Sequence, residues 1–213
     1  LLQQGVDIGI LTEAKIPYNN GSPIHTHSCN RYHIFCTYTT RNNQGGLALM
    51  WKQEPTNKHW TAESPMRHGP NVLSFLLVNG ETRVPIIGAC LPPQSTDDLP
   101  HLETALQRFP KDQPMLLGDL NFDFSKLHTT RSQTIHGLLA TYALEDTLPH
   151  FVQRSRYTHK QTYFQHRTHT DGSLTTIRSR CDHLLAHDRR LFAWVRLRDP
   201  RHFSSDHYMV IGR

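Results

Sequence analysis

The chain has 213 residues, enough for one domain with its own core and short for two. With 37% hydrophobic and 19% charged residues it reads as globular rather than disordered, and no apolar run nears the ~20 residues of a membrane-spanning helix. The net charge of +5, with 16 histidines besides, suits a polyanionic partner. The four cysteines (Cys29, Cys36, Cys90 and Cys181) show no Cys-x-x-Cys spacing, so reduced thiols in an intracellular protein are expected. The first residues, Leu1-Leu2-Gln3-Gln4-Gly5, offer neither a Met nor a signal-peptide pattern, and the expectation is a piece of a longer protein.

In chain order, residues 6–11 form a β-rich apolar run and predict a buried strand. Residues 32–38, 46–51, 72–78 and 84–90 predict four more, with Asn42, Asn43, Gly45 and Gly46 as turn material between two of them. Thr96, Asp97 and Asp98 offer N-cap groups to a helix whose apolar face is Leu99, Leu102, Leu106 and Phe109, stopped by Pro110. Residues 115–117 predict a short buried strand ending at Gly118-Asp119. A second helix is expected over residues 132–142, with Ile135, Leu138, Leu139 and Tyr142 on one face. Residues 162–164, 181–186, 192–197 and 208–211 are strand-like again. Many strands and few helices predict two packed sheets flanked by helices, an α/β chain.

Polar clusters stand where these apolar runs stop. Glu13 follows Ile8-Gly9-Ile10-Leu11-Thr12, and Asp119 and Asn121 follow Met115-Leu116-Leu117-Gly118. Asp182 opens the Leu184-Leu185 run, and Asp206 and His207 precede Tyr208-Met209-Val210-Ile211. Each residue alone reads as a cap or a turn former. Several carboxylates at the rims of buried strands are costly to desolvate without compensation, and a hard cation with oxygen ligands supplies it. Residues 147–170 contain no Asp or Glu, yet hold Arg154, Arg156, Lys160, Arg167 and four histidines interleaved with Phe151, Tyr157, Tyr163 and Phe164. Basic and aromatic residues so mixed read either as a solvated loop or as a surface for a phosphate backbone with a base beside it.

Taken together, these clusters resemble the motifs of the endonuclease/exonuclease/phosphatase superfamily. Leu11-Thr12-Glu13 resembles its metal-binding glutamate motif, and Gly118-Asp119-Leu120-Asn121 its Gly-Asp-x-Asn. Ser179-Arg180-Cys181-Asp182-His183 resembles its Ser-x-Ile-Asp-Tyr/His, and Ser205-Asp206-His207 its closing Ser-Asp-His. The resemblance spans residues 6–211. Gln44-Gly45-Gly46-Leu47-Ala48-Leu49 and Thr162-Tyr163-Phe164 are similar to segments of the endonucleases of LINE-type (non-LTR) retrotransposons.

The resemblance implies a four-layer α-β-β-α sandwich of two packed mixed sheets, deoxyribonuclease-I-like, in a single domain over residues 1–213 that lacks its first strand. It implies a Mg²⁺-dependent (or Mn²⁺-dependent) endonuclease acting on DNA, with Glu13 and Asp206 as metal ligands. Asp119 would orient or deprotonate the attacking water, with Asn121 on the phosphate or holding Asp119. His207 would contact the phosphate, and Asp182 would fix the His207 ring. Thr162, Ser179, Arg154, Arg156, Lys160 and Arg178 are the expected DNA-backbone contacts. A fused reverse transcriptase and a nuclear location follow from the same resemblance. Cys90 stands where the family's phosphate-holding Tyr aligns, and the family's first catalytic Asn would precede this chain. Other readings share parts of the pattern: an apurinic-site repair nuclease, a phosphatase of the same superfamily, or a degenerate DNA-binding remnant without activity. A zinc protein is the outlying reading, since His25-Thr26-His27 near Cys29 and His166-x-x-His169 lack a Cys pair or His-x-x-x-His.

Overall fold

Apolar residues at a two-residue period build the first half of the molecule. The structure, a computed structural model, describes residues 8–14, 25–29, 32–37, 46–52, 60–110, 112–152, 161–198, 207 and 209–212. The chain divides into two units, Leu1–Gly118 and Asp119–Arg213.

In the first unit, β1 (Ile8–Thr12), β2 (His25–Cys29), β3 (Tyr32–Cys36) and β4 (Leu47–Lys52) form an antiparallel sheet of order β1-β4-β3-β2. A second sheet places β5 (Thr61–Gly69), β6 (Val72–Asn79), β7 (Thr82–Cys90) and β8 (Met115–Asp119) side by side. Phe35, Leu47, Leu49 and Trp51 from one sheet pack on Leu73, Phe75, Leu77 and Ile86 from the other, and the rings of Phe35 and Phe75 are 5.5 Å apart. Gly88 permits this approach, because a Cβ there would come within 2.9 Å of Ile10 and Leu47. The odd-numbered residues of β6 thus enter the space between the sheets. Ser74, on the other face, accepts from Arg108 NH1 at 3.0 Å just beyond α1 (Leu99–Gln107). That helix buries Leu99, Leu102, Ala105 and Leu106 and lies along β5 and β6, so this unit alone is layered helix, sheet, sheet. Burial and the nearby Arg108 and His101 push His68 down to about 4, and its neutral ring sets Nε2 2.8 Å from the Ser74 hydroxyl.

The strand β2 is not among the expected ones, and two further details differ from expectation. Asp98 stands at the N-cap of α1 without capping it: its carboxylate accepts from the buried Asn71 side chain at 2.9 Å. A buried amide needs a partner more than an accessible helix end does. The strand β5 is too polar to read as one and contains Pro65. It is tolerated because β5 is the edge of its sheet and carries register shifts at residues 63–66 and 67–69.

In the second unit, α2 (Thr130–Thr141) begins two residues before the expected start. Thr129 accepts from the Ser132 amide at 3.1 Å and Ser132 Oγ accepts from the Thr129 amide at 3.1 Å, a reciprocal capping box. Ile135 and Leu139 are buried, and Leu138 and Tyr142 are half-buried. The short β9 (Glu145–Asp146) is followed by α3 (Leu148–Val152). A hairpin of β10 (Tyr163–Thr168) and β11 (Leu174–Ser179) follows, its second strand unforeseen because most of its residues are polar and none is buried. Strand β12 (Asp182–Ala186) pairs with β9, and β13 (Val195–Arg198) pairs with β14 (Met209–Gly212). The protein is thus a mixed α/β chain with two packed multi-strand sheets and few helices. Among the described residues, no helix is long and apolar enough to cross a membrane.

Candidate active site

Strand β8 delivers Asp119 through a backbone that only glycine supports. Gly118 has φ +144°, and a Cβ on it would fall 1.8 Å from the Ala89 carbonyl oxygen. Asp119 follows at 7% exposed. Two residues on, Asn121 takes φ 45°, a left-handed conformation that Asn tolerates better than most residues. That turn aims both of its donors back at the carboxylate: the Asn121 amide donates to Asp119 Oδ1 at 2.9 Å and the side-chain Nδ2 to Oδ2 at 3.1 Å.

The next part of the site comes from the start of β12. The Leu120 amide donates to the Cys181 carbonyl at 2.9 Å, which ties the turn after β8 to this segment. Asp182 Oδ2 accepts from His207 Nδ1 at 2.8 Å. A carboxylate only accepts, so Nδ1 carries the hydrogen and the ring tautomer is set. His207 is held a second time by Tyr163, through an antiparallel backbone bridge and a tilted ring contact at 4.9 Å. The ligand atoms of Asp119, Asp182 and His207 all lie within 4.8 Å of one another.

Two carboxylates this close, one of them buried, resist joint ionisation. Burial, and then the charge of Asp182, raise Asp119 to about 6, against the opposing pull of the Asn121 hydrogen bond and of His207 and His183. Cys181, between the two strand ends, is pushed up to about 12 by burial. It is a neutral packing group and not a nucleophile.

Four of the expected residues, Asp119, Asn121, Asp182 and His207, are therefore brought together. Glu13 stands exposed at the end of β1 in the first unit, with φ 51°. Asp206, Arg154, Arg156 and Lys160 lie outside the described residues. Arg178 is exposed on β11, its guanidinium 5.8 Å over the Phe164 ring, and its carbonyl accepts from Lys126 at 3.0 Å. Ser179 is half-buried, with its side chain on the Cys181 thiol and its carbonyl on the Thr162 amide. His166 and His169, weighed for zinc, instead meet Thr176 and Thr175 at 3.0 and 2.7 Å.

Thr162 requires a correction. It is not available to a DNA backbone: it is 0% exposed, and its hydroxyl oxygen accepts from the amides of Cys181 and Asp182, each at 3.0 Å. Its work is to hold the segment that carries Asp182. Thr162→Val is expected to strand two buried N–H groups and lower unfolding free energy by about 2–4 kcal/mol, with Thr162→Ser near wild type. Urea unfolding of the two variants measures this, and equal stabilities would sink it.

Several supporting residues were not expected from the sequence to take part in the site. Arg131 in the first turn of α2 donates NH1 to the Asn121 carbonyl at 2.8 Å and NH2 to the Leu120 carbonyl at 3.0 Å. His183, 3% exposed, sets Nε2 against the Phe122 carbonyl at 2.7 Å and Nδ1 against Asp146 at 3.0 Å, with Arg180 Nε 3.1 Å from the same Asp146 oxygen. Burial pushes Asp123 up, but hydrogen bonds from Ser125 and the Arg180 amide, with the Lys126 charge, hold it below the usual carboxylate range. These contacts fasten the 120–126 turn to the 179–183 segment, the two stretches that bear the carboxylates.

No family model matches the chain, and no curated protein matches it. Among solved structures it is similar to the endonuclease domain of TRAS1, a telomere-specific non-LTR retrotransposon (TM-score 0.63, 12% identity, covering 100% of this chain and 87% of that one). It is also similar to the catalytic domain of Xenopus laevis APE2 (TM-score 0.65, 14% identity, 99% and 84% covered). A third is an AP endonuclease from Archaeoglobus fulgidus (TM-score 0.63, 13% identity, 100% and 90% covered). At these identities the likeness is one of fold.

Proposed function

Starting from a fold shared with DNA endonucleases, we propose that this chain is a metal-dependent endonuclease that hydrolyses DNA phosphodiester bonds, the target-site nicking domain of a non-LTR retrotransposon. The observation that carries this reading is the Asp119–Asp182–His207 group, with ligand atoms within 4.8 Å and Asn121 on both oxygens of Asp119. Its donors suit a divalent cation: a carboxylate pair with one member buried gains from a nearby 2+ charge, and carboxylate oxygens are the ligands that Mg²⁺ and Mn²⁺ prefer. Such an ion, held by Asp119 and Asp182, would neutralise charge on the phosphate and the leaving oxygen. Glu13 and Asp206 are proposed as metal ligands on their motifs alone.

In this reading Asp119 orients the attacking water and receives its proton. Asn121 keeps both Asp119 oxygens oriented. His207, steadied by Asp182, stabilises the negative charge that grows on the phosphate oxygens. Arg178, Ser179, Arg154, Arg156 and Lys160 are proposed to grip the DNA backbone, which positions the duplex without reading its sequence. Fusion to a reverse transcriptase and work in the nucleus belong to the same proposal.

The test is nicking of supercoiled plasmid with Mg²⁺, with Mn²⁺ and with EDTA. Nicked circles that require a divalent ion are expected. A folded protein that binds DNA in a salt-sensitive way yet never nicks would replace the enzyme with a DNA-binding domain. Cleavage confined to abasic duplex would move the assignment to repair.

A further inference from the structure

We infer that Arg131 is a positioning residue of the hydrolytic site, holding the Leu120–Asn121 turn so that Asn121 can orient Asp119. The inference rests on the nuclease reading for the reaction it serves, and on geometry alone for the clamp itself.

Arg131 stands where a cation is not favoured. It occupies the first turn of α2, which contains no acidic residue. A cation there faces the positive end of the helix dipole. Burial also weakens its hold on its proton, and the nearby Asp119 and Cys181 oppose that effect. A surface arginine would turn to solvent under these conditions. This one instead spreads its two terminal nitrogens over consecutive carbonyls, Asn121 at 2.8 Å and Leu120 at 3.0 Å. The planar fork matches two acceptors at once, which a lysine ammonium cannot do with the same geometry.

The peptide units so gripped are the ones that make the left-handed step at Asn121, φ 45°. Without that step the Asn121 amide and side chain would not both point back at Asp119. On the other side the Leu120 amide is already committed to Cys181. The turn is therefore held from α2 through its oxygens and from the Asp182 segment through its nitrogen. In this role Arg131 acts on the reaction through Asn121 and Asp119.

Arg131→Met and Arg131→Lys test the clamp by two readouts, with thermal unfolding run on each variant to check that it is folded. The first readout is plasmid-nicking kinetics. Arg131→Met is expected to lower kcat about 100-fold with KM little changed, the scale of loss for a misplaced catalytic group. Arg131→Lys keeps the charge without the fork and is expected to fall with Met rather than with wild type. The second readout needs no activity: amide hydrogen exchange at Asn121 should quicken at least about tenfold in both variants, while α2 amides beyond its first turn keep their protection. Unchanged exchange at Asn121 overturns the inference whatever the rate does. Faster exchange with kcat intact overturns it equally, as does a lysine variant at wild-type level. If the wild-type chain does not nick at all, the nuclease reading fails by itself, and the exchange readout alone decides whether Arg131 holds the turn.

Discussion

Asp119→Asn is expected to lower the nicking rate by about 10³-fold, in the range for loss of a positioned general base. The variant keeps shape and burial, so the loss reports chemistry rather than collapse. Its stability should move the other way. Asp119 is raised from 3.8 to about 6 by burial and by Asp182, so the folded state holds its proton more tightly than the unfolded chain does. That advantage is fully present below the unfolded value near 3.8 and is lost as pH rises through about 6. At neutral pH the charged, buried carboxylate is then a burden of roughly 3 kcal/mol at most. Asparagine removes it, but keeps its hydrogen bonds only if the Asn121 side-chain amide turns over to accept, so a net gain of about 1–2 kcal/mol is expected at pH 8 and none at pH 4. Urea unfolding at the two pH values, without metal, measures the difference. A nicking rate equal to wild type would remove Asp119 from the chemistry, and a variant that is no more stable at pH 8 would show that the carboxylate is not strained.

Removing the His207 ring is expected to cost about 10²–10³-fold in kcat, as for the loss of one donor aimed at developing charge. Asp182→Asn should cost a comparable factor for a separate reason. In the native pair the carboxylate accepts from Nδ1 at 2.8 Å, and in the proposed mechanism it would support positive charge on the ring as that ring meets a phosphate oxygen. An amide at position 182 can present its NH₂ to Nδ1, which moves the ring hydrogen to Nε2 and withdraws that support. Because the two groups act as a unit, His207→Ala with Asp182→Asn should lose little more than the worse single variant. Single-turnover nicking of all three variants at saturating metal tests this. Fully multiplicative losses would mean that Asp182 and His207 act independently, and Asp182 would then belong with the metal alone.

Much of the architecture was legible in the residues themselves. The apolar runs around Leu47–Lys52, Val72–Asn79 and Thr82–Cys90 became strands at nearly the expected positions, because burial between two sheets demands that pattern. Two of the strands not foreseen, β5 and β11, lie at a sheet edge and in an exposed hairpin, where neighbours rather than composition decide pairing. Asp119, Asn121, Asp182 and His207, which the structure brings together, could be singled out from short motifs because each sits where an apolar run stops, a local property that sequence order displays.

What holds those four groups was decided only by the tertiary structure. Thr162 looked like a backbone ligand for DNA and is a buried acceptor for two amides nearly twenty positions away. His183 bonds residues 37 and 61 positions distant, and Arg131 crosses from a helix to the two carbonyls behind the Asp119 turn. Sequence determines which groups can donate, accept or carry charge. Burial and orientation decide which of them must be satisfied by one another, and those arise only when distant segments pack.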